Sequence, residues 1–152
     1  MLNLKTILVP VDFSEPSAEA LRRALELADL TKATVQLLHV GDTRYAQLGY
    51  GLAVYGSEED LTRLMKIASE RMQKMRTSFG VSEAKLPGKV VAGVPYQEIL
   101  EEVTRSKPDL LVMGIHGRTG MDRVIVGSQC ELVVRQCPIP VLVVHGPETT
   151  TH

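Results

Sequence analysis

The sequence predicts an α/β fold in which a doubly wound, five-stranded parallel sheet carries helices on both faces. Five short apolar runs rich in β-branched residues alternate with stretches of helical periodicity. Such nearly continuous apolar runs are typical of strands that are covered on both faces of a parallel sheet. The length of 152 residues and the hydrophobic content of 44% suit one large core. We therefore expect a single domain over residues 1–152, with its core at about 4–145 and a frayed tail from 146.

The first half of the chain contains two strand patterns around one helix pattern. Lys5–Val11 is the first apolar run, and Ser14 is placed to cap the helix that follows. Alanine and leucine then recur at helical spacing to about Leu30. Ala33–Val40 is the second strand. The Gly- and Tyr-rich stretch Gly41–Gly56 is predicted to be either a surface loop or a lid.

The second half continues the alternation. Ser57 is a candidate N-cap for a helix that runs to about Phe79, and Gly80 suits its C-terminal cap. The methionines of that helix share one side, so we expect them to pack into the core. The remaining elements are a strand at Lys89–Ala92, a helix from Pro95 to about Arg105, a strand at Leu110–Met113, a helix from Gly127 to about Gln136, and a strand at Val141–Val144.

Charge and cysteine usage exclude several classes of function. The 17 basic and 18 acidic residues give a net charge of -1, which argues against non-specific binding to nucleic acid or acidic membranes. No apolar stretch approaches the roughly 20 residues of a membrane span, and no signal-peptide pattern is present. Cys130 and Cys137 have neither a CxxC nor a Cys/His metal-site spacing. We expect a cytoplasmic protein with reduced cysteines, no membrane or nucleic-acid partner and no metal site of its own.

The most informative motif follows the fourth predicted strand. Gly114 and Gly117 lie three residues apart, and Gly127-Ser128 opens the next predicted helix. Backbone N–H groups at a strand exit and at a helix N-terminus are the groups that wrap phosphate in α/β proteins. Ser128 adds a hydroxyl, and the N–H groups of Ser128, Gln129 and Cys130 would be free helix-terminal donors. The alternative is that the glycines only form a turn and a tight contact between helix and sheet.

Charged side chains near that motif extend the interpretation. Arg118 and Arg123 lie in the intervening loop, where a guanidinium adds charge contacts to phosphate, but the lysine of a Walker A loop is missing. Asp12 directly follows the first strand, where a carboxylate suits ribose hydroxyls or an adenine amino group. Its alternative role is local capping of the following helix, although Ser14 is better placed to do so. His39 is expected to be a packed strand residue.

Four strings of residues together resemble the universal stress protein family. They are Ile7–Ser14, Leu37–Val40, Val112–Gly120 with Gly127-Ser128, and Cys137–Val144. The resemblance extends from about residue 4 to 145. The spacing Gly-x2-Gly-x9-Gly-Ser is similar to that of the ATP-binding branch of the family.

This resemblance implies a fold, an assembly and a ligand. The family fold is adenine nucleotide alpha hydrolase-like, with strand order 3-2-1-4-5, and its members pair as homodimers through the last strand, here Val141 to Val144. The ligand is ATP, AMP or ADP, and Mg²⁺ can accompany the phosphates. By resemblance, adenine and ribose are held at Pro10, Asp12, Val40 and Met113, with Gly114 near the ribose, and the phosphates at Gly117, Arg118, Gly127, Ser128, Gln129 and Cys130.

The chain departs from the family pattern at the last two of these positions. The family usually has a small or β-branched residue followed by Thr, Ser or Ala, where this chain has Gln129 and Cys130. A thiol is a weaker donor than a hydroxyl, so the departure weakens a phosphate contact by about 1 kcal/mol. Gln129 either contacts phosphate or obstructs it.

The sequence therefore predicts an adenine-nucleotide-binding protein with a regulatory, stress-response role and an unidentified protein partner. No catalytic residue is assigned. One alternative is a slow ATP hydrolase, although a clear base and a phosphate-clamping lysine are missing. The other alternative is a dimeric interaction module that binds no nucleotide, which the departures at Gln129 and Cys130 favour.

Overall fold

The computed structural model describes residues 3–44, 58–115 and 123–146, and within 123–127 it describes the backbone alone. Strands and helices alternate throughout these ranges. The elements are β1 (Thr6–Pro10), α1 (Glu15–Thr31), β2 (Thr34–Asp42), α2 (Glu58–Phe79), β3 (Gly88–Gly93), α3 (Pro95–Ser106), β4 (Leu110–Ile115), α4 (Arg123–Gln136) and β5 (Val141–His145).

The strands form one parallel sheet in the order β3-β2-β1-β4-β5. This confirms the predicted fold class and strand order. β1 is central, and it pairs with β2 from Thr6 opposite Thr34 and with β4 at Ile7 opposite Leu110. Strand order reverses between β1 and β4, so connections leave these two strands in opposite directions. A crevice opens at the carboxyl ends of strands at such a point.

Alternation along β1 distributes the core to both faces of the sheet. Ile7 packs with residues of α1 and α2, whereas the next residue, Leu8, packs with residues of α3 and α4. Both side chains are at most 1% exposed. Helices therefore cover both faces, as predicted. Representative members are Leu21, Leu37, Met72 and Met75 in the first cluster, and Leu38, Ile99, Val103 and Val133 in the second.

The first helix begins and ends with the capping chemistry that its sequence predicts. The Ser14 hydroxyl accepts a hydrogen bond from the N–H of Ser17 at 3.4 Å, which confirms Ser14 as the N-cap. At the other end Lys32 adopts a left-handed conformation with φ of 64°, and its N–H bonds the Ala28 carbonyl at 2.7 Å. A short connection thus joins the end of β1, at Pro10, to the start of α1, at Glu15.

The second strand is longer than its sequence pattern indicates. It continues through Gly41 and Asp42, which pair with Ala92 and Gly93 of β3. The prediction that a loop begins at Gly41 is therefore wrong by two residues. A glycine and an aspartate reduce the intrinsic preference for a strand, but the ladder to β3 supplies hydrogen bonds that override it.

The fourth helix begins earlier than predicted, at Arg123 instead of Gly127. The Gly-Ser pair resembles a helix start because serine is a good N-cap. However, serine is also tolerated at an exposed helix position, and a glycine costs only about 1 kcal/mol within a helix. Ser128 is exposed, so neither residue prevents the helix from extending one more turn towards its N-terminus.

Three predicted segments lie outside the described residues. They are the tyrosine-rich stretch 45–57, the glycine loop 116–122 and the tail 147–152. Among the helices that are described, none combines the length and the apolar character of a membrane-crossing segment.

Gly114, in β4, allows the first turn of α1 to approach the sheet unusually closely. A Cβ at this position would lie 2.3 Å from the carbonyl oxygen of Pro16 and 2.8 Å from the backbone nitrogen of Ser17. These neighbours are backbone atoms, so they cannot rotate away as a flexible side chain would. Gly114 therefore sets the separation between β4 and the start of α1.

We expect Gly114→Ala to lower the free energy of unfolding by about 1–3 kcal/mol, because overpacking a tight contact displaces backbone. The matched control is Gly41→Ala in β2, where the nearest atom to an added Cβ is the Val91 carbonyl oxygen at 3.7 Å. Urea denaturation followed by circular dichroism measures both variants. Equal midpoints for Gly114→Ala and the wild type would contradict this account of the contact.

Candidate functional site

A crevice of about 390 Å³ lies at the carboxyl ends of β1, β2 and β4. The sheet supplies its floor, α2 forms one wall, and the starts of α1 and α3 together with the middle of α4 complete it. Its described lining comprises Pro10, Val11, Asp12, Phe13 and Ser17; Leu38, His39, Val40, Gly41, Asp42 and Arg44; Leu61, Leu64, Met65, Ile67, Ala68 and Arg71; and Ala92, Pro95, Ile99, Met113, Gly114, Gln129 and Cys130.

Asp12 is the exposed carboxylate at the exit of β1. Its Oδ1 accepts hydrogen bonds from the backbone N–H of Ser14, at 3.0 Å, and from the Ser14 hydroxyl. Its Oδ2 receives no hydrogen bond from any residue that the structure describes. The capping role and the ligand role are therefore compatible, because one oxygen shapes the turn while the other accepts no hydrogen bond from the described residues.

An aromatic stack stands beside Asp12. The Phe13 ring lies 4.5 Å from the His39 ring, at an interplanar angle of 34°. The guanidinium carbon of Arg71 lies over the Phe13 ring, 4.7 Å from its centroid. The stack joins the exit of β1, strand β2 and helix α2 in one wall of the crevice.

His39 is held in this stack in a form that disfavours protonation. Its Nδ1 lies 2.8 Å from the Val11 carbonyl oxygen, which fixes the ring. Burial lowers the pKa of His39, an effect that exceeds the opposing influence of the Val11 carbonyl and of Asp12. Neutral His39 is therefore the form that faces the crevice at neutral pH. The prediction that His39 is a packed strand residue is confirmed.

A second carboxylate of the crevice is already neutralised. Asp42 lies at the end of β2 and pairs with the guanidinium of Arg44. Arg44 Nε donates to both carboxylate oxygens, at 2.9 Å to Oδ1 and 3.1 Å to Oδ2, and Arg44 Nη2 also pairs with Oδ2. This two-pronged pairing suits the planar guanidinium. Of these two carboxylates, only Asp12 has an oxygen that accepts no hydrogen bond from a described residue.

Gln129 links two helices at the crevice wall. Its Oε1 accepts a hydrogen bond from the backbone N–H of Tyr96 at 2.9 Å, and the residue is 8% exposed. The N-cap residue of α3 is Val94, which makes no side-chain cap bond, and Pro95 has no N–H. Gln129 therefore caps α3 from α4. Its side-chain carbonyl is committed to this cap, which the sequence did not reveal.

The structure corrects the predicted phosphate donors on α4. Because the helix starts at Arg123, the N–H groups of Ser128, Gln129 and Cys130 lie beyond its first turn and have acceptors within the helix. The prediction that they are free helix-terminal donors is wrong. Cys130 is 2% exposed, and burial raises the pKa of its thiol. Both cysteines are free thiols, as predicted.

The structure brings most of the predicted site residues to one place. Ser128 is exposed and is absent from the described lining of the crevice. Gly127 belongs to α4, where its backbone alone is described, and Gly117 with Arg118 lies outside the described residues. The predicted residues that do line the crevice are Pro10, Asp12, Val40, Met113, Gly114, Gln129 and Cys130.

Sequence reasoning missed the contribution of α2. The periodicity of this helix correctly indicated an apolar face, but not that part of the face lines the crevice. Met65 is half-buried there, whereas Met72 and Met75 enter the core as predicted. Arg71 carries no motif that would have identified it. Across the described ranges, no group of three histidine, cysteine or acidic side chains is arranged to hold a metal ion.

A family model described as the universal stress protein family matches residues 3–145. The chain belongs to the universal stress protein family. It is 36% identical over 148 residues to universal stress protein MJ0531 of Methanocaldococcus jannaschii, a match that spans 95% of this chain and 84% of that one.

Solved structures agree with this membership. The structure of MJ0577, from the same archaeon, matches with a TM-score of 0.77 and 29% identity, over 97% of this chain and 99% of that one. A universal stress protein solved in complex with cAMP matches with a TM-score of 0.57 and 21% identity, over 94% of this chain and 98% of that one. At 21% identity this second likeness shows the fold alone.

Replacing Gln129 tests its role as a cap. We expect Gln129→Met, which is nearly the same size, to lower the free energy of unfolding by about 1–3 kcal/mol, because the Tyr96 N–H loses its partner. Gln136→Met is the matched control, since Gln136 is exposed on the same helix. Thermal unfolding by calorimetry compares the two, and a Gln129 effect no larger than the Gln136 effect would refute the cap.

Proposed function

We propose that this universal stress protein binds an adenine nucleotide, ATP, AMP or ADP, in the crevice at the ends of β1, β2 and β4, and that binding serves a regulatory role. The observation that carries the proposal is the carboxylate of Asp12. One of its oxygens is held by Ser14 and the other has no partner among the described residues, at the switch point of a doubly wound sheet.

The remaining lining suits the base and ribose. Val40, Met113 and Ile99 offer apolar surface against which a purine ring packs, and Gly114 belongs to the same lining. A carboxylate oxygen accepts hydrogen bonds from ribose hydroxyls or from the adenine amino group, which matches the unused oxygen of Asp12. Mg²⁺ bound to the nucleotide would draw most of its ligands from phosphate oxygens and water.

Gln129 and Cys130 of α4, where the chain departs from the family pattern, change the hydrogen-bond donors that are available to the phosphates. Gln129 is occupied in capping α3, and the Cys130 thiol is buried. The thiol is a weak donor, and the cap uses the Gln129 amide oxygen, which leaves only its Nε2 group to donate. The family resemblance also assigns the phosphates to Gly117, Arg118, Gly127 and Ser128, of which Ser128 does not belong to the described lining of the crevice.

The same proposal includes a cytoplasmic location and a dimer that pairs through β5. β5 is an edge strand of the described sheet, and Leu142 in it is 40% exposed. A second apolar side chain, Val134 of the preceding helix, is 48% exposed. Edge strands present unpaired backbone groups that a second copy can satisfy.

The dimer is tested by sedimentation velocity. We expect the wild type to sediment with the mass of two chains and Leu142→Lys to shift towards one chain, because a charge on the paired edge is costly to bury. Leu30→Lys is the control, as Leu30 is 82% exposed on α1. A wild-type monomer at micromolar concentration would overturn this part of the proposal.

Nucleotide binding is tested first on the protein as purified. Mass spectrometry of the small molecules released on denaturation identifies any resident nucleotide, and calorimetric titration with ATP, AMP and adenosine measures affinity after stripping. We expect saturable binding of at least one of the three. A chain that releases no nucleotide and binds none at millimolar concentration would refute the proposal and favour the interaction module.

Asp12→Asn then tests whether the Asp12 carboxylate contacts the nucleotide. Asparagine keeps an oxygen for the Ser14 N–H but removes the charge, so we expect a loss of about tenfold or more in affinity for nucleotide and adenosine alike. Asp29→Asn makes the same change at an exposed position of α1. Unchanged affinity in Asp12→Asn would show that the carboxylate does not contact the ligand. Turnover of ATP above about 1 per second would instead establish an enzyme.

A further inference from the structure

Some charged side chains of the described crevice lining form ion pairs with each other, and others do not. Asp42 and Arg44 neutralise each other, and His39 is held in its neutral form by burial. Arg71 is different, because no carboxylate of the described residues forms an ion pair with it, and its guanidinium lies over the ring of Phe13. It is therefore the cation of the described lining that remains available to a ligand.

Phe13, the aromatic residue that Arg71 contacts, has an unusual backbone conformation. Phe13 has φ of 65°, in the left-handed region, which is unusual for a bulky residue without a glycine's freedom. The Phe13 ring lies 4.5 Å from the His39 ring and 4.7 Å from the Arg71 guanidinium carbon. Strain of this kind persists where surrounding structure enforces it, and it clusters at ligand sites.

The stack pre-organises Arg71. An exposed arginine normally loses rotamer freedom when it binds an anion, which reduces the affinity gained. A guanidinium that lies over the Phe13 ring has already lost part of that freedom, and it forms no ion pair with a carboxylate of the described residues. Planar N–H groups suit the oxygens of phosphate.

We propose that Arg71 of α2 binds the anionic phosphate of the nucleotide and gives the crevice its preference for nucleotide over nucleoside, with Phe13 as the residue that positions it. This inference rests on the proposed nucleotide-binding function. It adds a phosphate contact on the α2 wall of the crevice. It also accounts for how a chain with Gln129 and Cys130 on α4 retains a cationic contact for phosphate.

The test compares Arg71→Gln with the wild type, using calorimetric titration with adenosine, AMP and ATP. We expect affinity for AMP, ATP or both to fall about tenfold, since a charge-assisted hydrogen bond is lost, while adenosine affinity stays within about twofold. Arg63→Gln is the matched control, because Arg63 is exposed on the same helix and does not belong to the described lining. It should change none of the three affinities.

Each other outcome has a defined meaning. Unchanged nucleotide affinity in Arg71→Gln, or an equal loss for adenosine, overturns the role of Arg71 while leaving nucleotide binding intact. A wild type that binds none of the three ligands overturns the proposed function and this inference together. The unfolding midpoint of Arg71→Gln, measured alongside, separates loss of the contact from loss of the fold if adenosine binds too weakly to titrate.

Phe13→Leu tests the positioning role. Leucine keeps an apolar side chain but removes the ring on which the guanidinium stacks. We expect the preference for AMP over adenosine to fall by about threefold, a smaller effect than in Arg71→Gln because the charge remains nearby. An unchanged preference would show that Arg71 acts without the stack, and a proportional loss for both ligands would assign Phe13 a packing role only.

Discussion

The contact between the first turn of α1 and strand β4 at Gly114 is the constraint on which the site depends. Backbone atoms of Pro16 and Ser17 occupy the space where any other residue at 114 would place its Cβ. The start of α1 is thereby fixed against β4 directly beside the point where strand order reverses. Asp12 and Phe13 lie in the short connection between β1 and α1, so their positions follow from the same contact.

Gly114 has two possible roles, a packing contact with α1 and a contact with a ligand. The family resemblance implies that Gly114 lies near the ribose of a nucleotide, and the residue does line the crevice. However, the tight contact with α1 alone is a sufficient physical reason for a glycine there. A tight contact between helix and sheet is therefore present at Gly114, and the contact of Gly114 with a ligand stays a prediction.

The polar groups of the crevice divide into those that the fold uses and those that it leaves available. Gln129 caps α3, Asp42 pairs with Arg44, and His39 is fixed by the Val11 carbonyl. Asp12 and Arg71 retain capacity for a ligand. One is an acceptor that suits hydroxyl and amino groups, and the other is a cationic donor that suits phosphate. An adenine nucleotide carries both kinds of group.

The amino-acid sequence by itself determined the fold class, the order of the strands and helices, the Ser14 cap and the position of Asp12. These features depend on local periodicity, on capping chemistry and on the family resemblance. It did not determine where α4 begins, because Gly127 and Ser128 are compatible with both a helix start and a helix interior. Nor did it reveal the Gln129 cap on α3 or the stack of Arg71, Phe13 and His39. Those contacts join residues distant in the chain, and only the packing of α2, α3 and α4 around the sheet brings them together.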